Sequence, residues 1–161
     1  RSTFPRFAID RNQRYSSIDC TSLITKETNS PNIYFILGVL NSELIENYLV
    51  VVAKKLDAKK IELYPKTLSQ IPLKIPQSKQ DQALYNEITE MTKKICHLLE
   101  SLEIEPEYHR ILLRYGKKGL KRISKDTQSL LKLTESLDTL VYRLYGMKDE
   151  IDIFRSEIIN F

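Results

Sequence analysis

Two apolar seams in the second half of the chain limit its folding most. Leu84, Ile88, Met91, Ile95, Leu98 and Leu102 follow one another at alternating fours and threes, a heptad pattern of nearly three repeats. Glu105-Pro106 interrupts it, and Ile123, Thr127, Leu130, Thr134, Leu137, Val141 and Leu144 then repeat the spacing. A stripe of this period forms a stable helix only when the stripe is covered. Two such helices in one chain cover each other most simply as an antiparallel pair. Gly146 suits the left-handed residue that ends the second helix, and Ile151, Phe154 and Ile158 mark a last short amphipathic piece. Residues 77–161 are therefore expected to be helical over 78–103, about 107–146 and 149–160.

The first 76 residues have a different pattern. Phe7 and Ile9 alternate with Arg6, Ala8 and Asp10, and Tyr15, Ile18 and the pair Leu23-Ile24 follow a polar turn, which predicts short strands. Ser30-Pro31 reads as a helix start, with a capping hydroxyl before a proline at the first helical position. Ile33, Leu37, Leu40, Leu44, Tyr48 and Val51 then keep helical spacing to about Lys54. Asn41-Ser42 offers a second cap midway, so this is either one long helix over 31–54 or two shorter ones. The run Val50-Val51-Val52 suits either the end of that helix or a strand. Ile61 to Leu63 reads as a short strand ended by Tyr64-Pro65, and two prolines keep Ile71 to Pro76 extended. The expected architecture is α+β: a small strand-containing head over 1–76, followed by a long antiparallel helical pair.

Composition excludes more than it assigns. At 42% hydrophobic and 29% charged residues, the chain is that of an ordinary globular domain. The longest apolar run, Leu49 to Ala53, is far short of the ~20 residues of a membrane span. The chain opens at Arg1 in mid-pattern, which reads as a piece of a longer protein. Cys20 and Cys96 are too few for a disulfide framework, and Cys96-His97 lacks the second ligand pair of a zinc site. Gly116-Lys117-Lys118-Gly119 follows no strand and lacks the Ser/Thr of a phosphate-binding loop. No GxSxG, HExxH or CxxC occurs, and no spacing forces Asp10, Asp19, Glu43 and Asp57 into one metal site. The segment reads as non-catalytic, with no cofactor or metal of its own.

Its charge is uneven. The net +4 conceals residues 106–132, where eight Lys/Arg face two acids. Such a stretch is either a solvated helix face or the footprint of phosphate contact. Arg114, Lys117, Lys118, Lys121 and Arg122, beside Tyr115, are its strongest candidates for DNA phosphates. Lys54, Lys55, Lys59, Lys60 and Lys66 suit the same role, or simply keep an edge soluble. Arg11, Asn12, Gln13 and Arg14 form a turn of side chains that can pair with base edges, or else an exposed hairpin turn.

Three segments also resemble a known family. Tyr34 to Ile45, YFILGVLNSELI, looks like the "YLLGLLNSKLI" helix of target-recognition domains in adenine-specific DNA methyltransferases. Leu63 to Leu73, LYPKTLSQIPL, is similar to the segment that follows it there: a short strand, a "PK-x-L" turn and a hydrophobic-Pro step. Leu137 to Met147, LDTLVYRLYGM, looks like the closing "ID-x-LVY-x-LYGL". The family is the TaqI-like C-terminal specificity domain of single-chain type II restriction–modification enzymes. The resemblance implies a DNA-binding head that reads duplex DNA while a methyltransferase domain of the same parent flips and methylates adenine with S-adenosylmethionine. It also implies the cytoplasm of a prokaryote and no membrane partner. The methyltransferase's Asn/Asp-Pro-Pro-Tyr/Phe motif is absent from this segment. Base-contacting positions in the family vary with the target, so none carries over. Two other readings remain open: half of a type I specificity subunit, and a helical protein–protein module without a DNA role. The seams, likewise, either pack only on each other or also dock the methyltransferase part.

Overall fold

The computed structural model describes residues 7–10, 21–24, 30–57, 60–101 and 125–147. In chain order its elements are α1 (Ile33–Leu40), α2 (Glu43–Val52), β1 (Lys54–Asp57), β2 (Lys60–Glu62), α3 (Pro65–Leu68), α4 (Lys79–Ser101) and α5 (Lys125–Leu144). At 1.5 Å per residue, α4 and α5 are about 34 and about 30 Å long and form the frame of the fold. They run antiparallel: Lys74 bridges Asp81 at the start of α4 and the carbonyl of Leu144 at the end of α5. Farther along, Ile88 and Thr92 of α4 lie with Leu137 of α5 around Gly38. The helix expected at 149–160 and the 107–124 part of its predecessor lie outside the described residues.

The strand-containing head is a correction. Phe7 to Asp10 and Thr21 to Ile24 form no strands, and the packing in the first half is helical, so the fold is predominantly helical rather than α+β. Two physical reasons can be named. The backbone of Phe7 is satisfied by a side chain instead of a neighbouring strand: Asn41 Oδ1 accepts its N–H and Asn41 Nδ2 donates to its carbonyl, both at 3.1 Å. Leu23 and Ile24 are 54% and 89% exposed, so the pair supplies no buried face on which a sheet could settle. The β-structure among the described residues is one small antiparallel ribbon, β1–β2, paired Lys54↔Glu62, Lys55↔Ile61 and Asp57↔Lys60.

The helical stretch from Asn32 breaks in two, with a 63° bend between α1 and α2. Asn32 is the first cap, its side chain accepting the Tyr34 N–H at 2.9 Å, so α1 begins after Pro31 rather than on it. At the break, the wholly buried Ser42 donates to Val39 O at 2.6 Å and accepts the Ile45 N–H at 3.4 Å. The Glu43 N–H is taken by Asp138 Oδ1 of α5 at 2.8 Å, across 95 residues of sequence. That carboxylate is 9% exposed and meets the positive end of α2, where the helix dipole favours an anion. Ser78 starts α4: its hydroxyl accepts the Asp81 N–H at 3.0 Å. Partial desolvation raises the Asp81 carboxyl, but hydrogen bonds with Ser78, the Gln77 N–H and Lys74, together with the Lys74 charge, outweigh it and hold it below its ordinary value.

One core joins both halves of the chain. Phe35 and Val39 of α1, Ile45 and Leu49 of α2, Leu84 and Ile88 of α4, and Leu137, Val141 and Leu144 of α5 are buried together. The seam residues Met91 and Ile95 pack against its edge. Gly38 lets α1 lie this close: a methyl group there would overlap Thr92 Oγ1 and press on Ile88 and Leu137 at 3.3 and 3.4 Å. Thr89 and Thr92 of α4 are buried, Thr92 against Gly38 of α1, and each returns its hydroxyl to the carbonyl four residues back. No single helix among the described residues is long and apolar enough to cross a membrane.

Gly38→Ala is expected to lower stability by about 1–3 kcal/mol, because Thr92 would have to give up its hydrogen bond to Ile88 O to move aside in a close-packed site. A lower denaturant midpoint at constant m-value checks it. Asp138→Ala strands the Glu43 N–H and is expected to cost about 1–3 kcal/mol. Asp138→Asn keeps an acceptor and should recover most of that loss. Equal losses would locate the effect in the charge rather than the hydrogen bond.

Candidate nucleic-acid interface

The candidate surface begins where α2 ends. Ala53 is buried and closes α2, its N–H bonding to Leu49 O at 2.8 Å, and β1 starts at the next residue. The return strand β2 ends at Glu62, Leu63 packs half-buried against the core, and Pro65 opens α3 with Leu68 buried behind it. Pro65 is well placed at a first helical position, where no N–H is needed. Both legs of the ribbon thus enter the core directly, with no flexible connection. The two strands pair with each other, Lys54 opposite Glu62 and Asp57 opposite Lys60.

At its base the charged and aromatic groups gather. Lys54 is exposed and its Nζ stands 5.9 Å from the centre of the Tyr64 ring, a cation–π distance. Tyr64 is 46% exposed and its hydroxyl donates to Glu62 Oε2. Lys66 follows, exposed, in α3. Thr21 Oγ1 donates to Leu63 O at 3.2 Å, which ties the segment Thr21 to Ile24 to the same side. Lys54 and Lys66 thus flank the exposed Tyr64, and Lys55 and Lys60 stand on the paired strands β1 and β2. Lys59 lies outside the described residues, as do Arg11, Asn12, Gln13 and Arg14 and the basic group Arg114, Lys117, Lys118, Lys121 and Arg122. Tyr64 is the residue that sequence reasoning misses. Its signal is an aromatic next to a proline at a strand end, which reads there only as punctuation.

The ends of this surface are held by the extended segment after α3. Tyr48 donates to Gln70 O at 3.0 Å. Tyr145 donates to Pro72 O at 2.7 Å and accepts the Lys74 N–H at 3.2 Å. Lys74 Nζ donates to Leu144 O at 2.5 Å, placing a cation on the negative end of α5. Burial pushes the Tyr145 phenol above its ordinary value of 10.0, and the bond from Lys74 N–H offsets this in part. The folded state then keeps that proton where the unfolded chain has lost it. The contribution is whole below pH 10 and falls away as pH rises above it. Tyr145→Phe is expected to lower stability by about 1–2 kcal/mol at neutral pH. Its stability should also fall less steeply above pH 10 than that of the unaltered chain, as unfolding titrations across that range would register.

The three motifs meet in these contacts. Glu43 of the first donates its N–H to Asp138 of the third, and Pro72 of the second accepts from Tyr145 of the third, while Lys74, one residue past the second, binds Leu144 of the third. No curated protein and no solved structure matches the chain. A family model does, over the part that holds the first two motifs and the ribbon. Residues 1–73 match the TaqI-like C-terminal specificity domain, the family that the motifs at 34–45 and 63–73 resemble.

Proposed function

We infer that the chain is the DNA-recognition part of a restriction–modification or DNA-methyltransferase system. In this reading it holds duplex DNA for a methyltransferase part that modifies adenine at N6. The observation that carries the reading is the match of residues 1–73 to a specificity-domain family. Support comes from the chemistry of that segment, in which Lys54, Tyr64 and Lys66 are each exposed and Lys54 stands over the Tyr64 ring. A methylating partner must extrude its target base, at a cost of a few kcal/mol, so a second body gripping the duplex has a physical task. The chain contributes that grip, and S-adenosylmethionine belongs to the partner. The setting that goes with such a system is the prokaryotic cytoplasm.

The test is a titration of the chain with duplex DNA at two salt concentrations. Phosphate contact by about three cations predicts roughly 40-fold weaker binding at 200 mM than at 50 mM salt. Salt-insensitive or absent binding would reject the reading. Charge reversal at Lys117, Lys118 and Arg122 is expected to weaken binding to all duplexes alike and to flatten the salt dependence, by about one unit of slope for each phosphate that is no longer neutralised. An unchanged slope would remove the 106–132 stretch from the interface.

A further inference from the structure

Resting on that reading, we propose that Tyr64 touches duplex DNA directly, packing its ring on sugars and base edges and adding affinity that salt does not screen. The ring is exposed but held. Leu63 before it packs against the core, its own carbonyl accepts the Leu68 N–H at 3.0 Å, and Pro65 after it opens α3. Its hydroxyl donates to Glu62 Oε2, and Lys54 Nζ stands 5.9 Å from the ring centre. At 46% exposure, Tyr64 is the one aromatic among the large apolar side chains that stand exposed on the described residues. A side chain placed before its partner arrives loses little freedom on binding, so more of its contact energy is kept as affinity.

The charges around the ring decide what kind of contact it makes. Lys54 and Glu62 are direct partners in the strand pairing, so their charges largely offset each other toward a phosphate farther away. Lys66 is exposed two residues beyond the tyrosine, and the three groups together carry one net positive charge. That is little for neutralising a row of phosphates. Tyrosine, however, joins an apolar body to a polar tip, and a nucleotide likewise sets an apolar sugar surface beside a charged phosphate. In this arrangement the Tyr64 ring covers the sugar, Lys66 meets the phosphate, and Lys54 and Glu62 keep the ring in place. Protein–protein interfaces are depleted in lysine, so a tyrosine with one exposed lysine over its ring and another two residues on fits a nucleic acid better than a protein surface. A neutral contact displaces no counterions, so its loss leaves the salt dependence of binding as it was.

The experiment measures fluorescence anisotropy of the whole chain against a panel of labelled duplexes, each at two salt concentrations. The variants are Tyr64→Ala, Tyr64→Phe and Lys66→Gln, with thermal midpoints recorded to show that each is folded. Tyr64→Leu, which keeps an apolar side chain but not the flat ring, replaces Tyr64→Ala if the latter unfolds. Tyr64→Ala is expected to weaken binding about 5- to 10-fold, near the low end of what an aromatic contact to a nucleotide contributes, with an unchanged salt slope. Tyr64→Phe keeps the ring and is expected to retain most of the affinity. Lys66→Gln is expected to lower the slope by about one unit. A Tyr64→Ala chain that binds every duplex as tightly as the unaltered chain overturns the contact, leaves the DNA reading standing and turns the ring toward a protein partner. An affinity loss accompanied by a lower slope overturns it too, because the ring would then serve only to hold Lys54 against a phosphate. Equal losses in Tyr64→Phe and Tyr64→Ala assign the contact to the hydroxyl and overturn the packing of the ring. An unaltered chain without salt-dependent binding removes the DNA reading itself, and the contact with it.

Discussion

A single buried carboxylate organises much of this molecule. Asp138 stands on the last described helix and accepts the first N–H of α2, 95 residues earlier in the chain. A helix start leaves its first N–H groups without intrahelical partners, and one that is buried must find them elsewhere. Here the partner comes from α5, so α2 cannot be placed until α5 is. What α2 carries at its other end, the lysine-bearing ribbon, inherits that position. The close crossing at Gly38 acts in the same direction, because α1 reaches its seat only where α4 and α5 leave room for a residue without a side chain.

The match to the specificity-domain family ends at residue 73, yet the structural unit does not. Phe35, Val39, Ile45 and Leu49 of the matched part share one core with Leu84, Ile88, Leu137, Val141 and Leu144 beyond it. Tyr145 and Lys74 close that union with hydrogen bonds across the Pro72 step. An amphipathic helix draws most of its stability from the surface that covers it, more than from its own propensity. The helical pair therefore supplies the matched segment with its core. This gives the third motif a physical meaning: Asp138 caps, Val141 and Leu144 fill, and Tyr145 pins.

The seams are legible because a period of three and four leaves little choice, and the caps at Ser42 and Ser78 are written in residues that cap for chemical reasons. The head misleads for an equally physical reason. Alternation at Phe7 and Ile9 is what a half-buried strand shows, but a strand also needs a partner backbone, and Asn41 satisfies Phe7 with a side-chain amide instead. Of the candidate DNA-binding residues, the position of Lys54 at an exposed lysine–tyrosine cluster follows from pairing and packing that no local pattern encodes. Lysines carry the same letters whether they keep an edge in solution or face a ligand.

The sequence by itself determined the long helices and the extended prolines after α3, because periodicity and a missing N–H act over a few residues, while at Asn41-Ser42 it offered a break without deciding it. Only the tertiary structure decided which surfaces met. Gly38 became a contact point, not a flexible link, because Thr92 lies opposite it; Asp138 became a cap because the α2 N-terminus lies within 2.8 Å. The β1–β2 ribbon took its place because Ala53 at its entry is buried and Leu63 at its exit packs against the core. Those outcomes depend on distances between residues far apart in the chain, which close packing in one shared core sets and local preference does not.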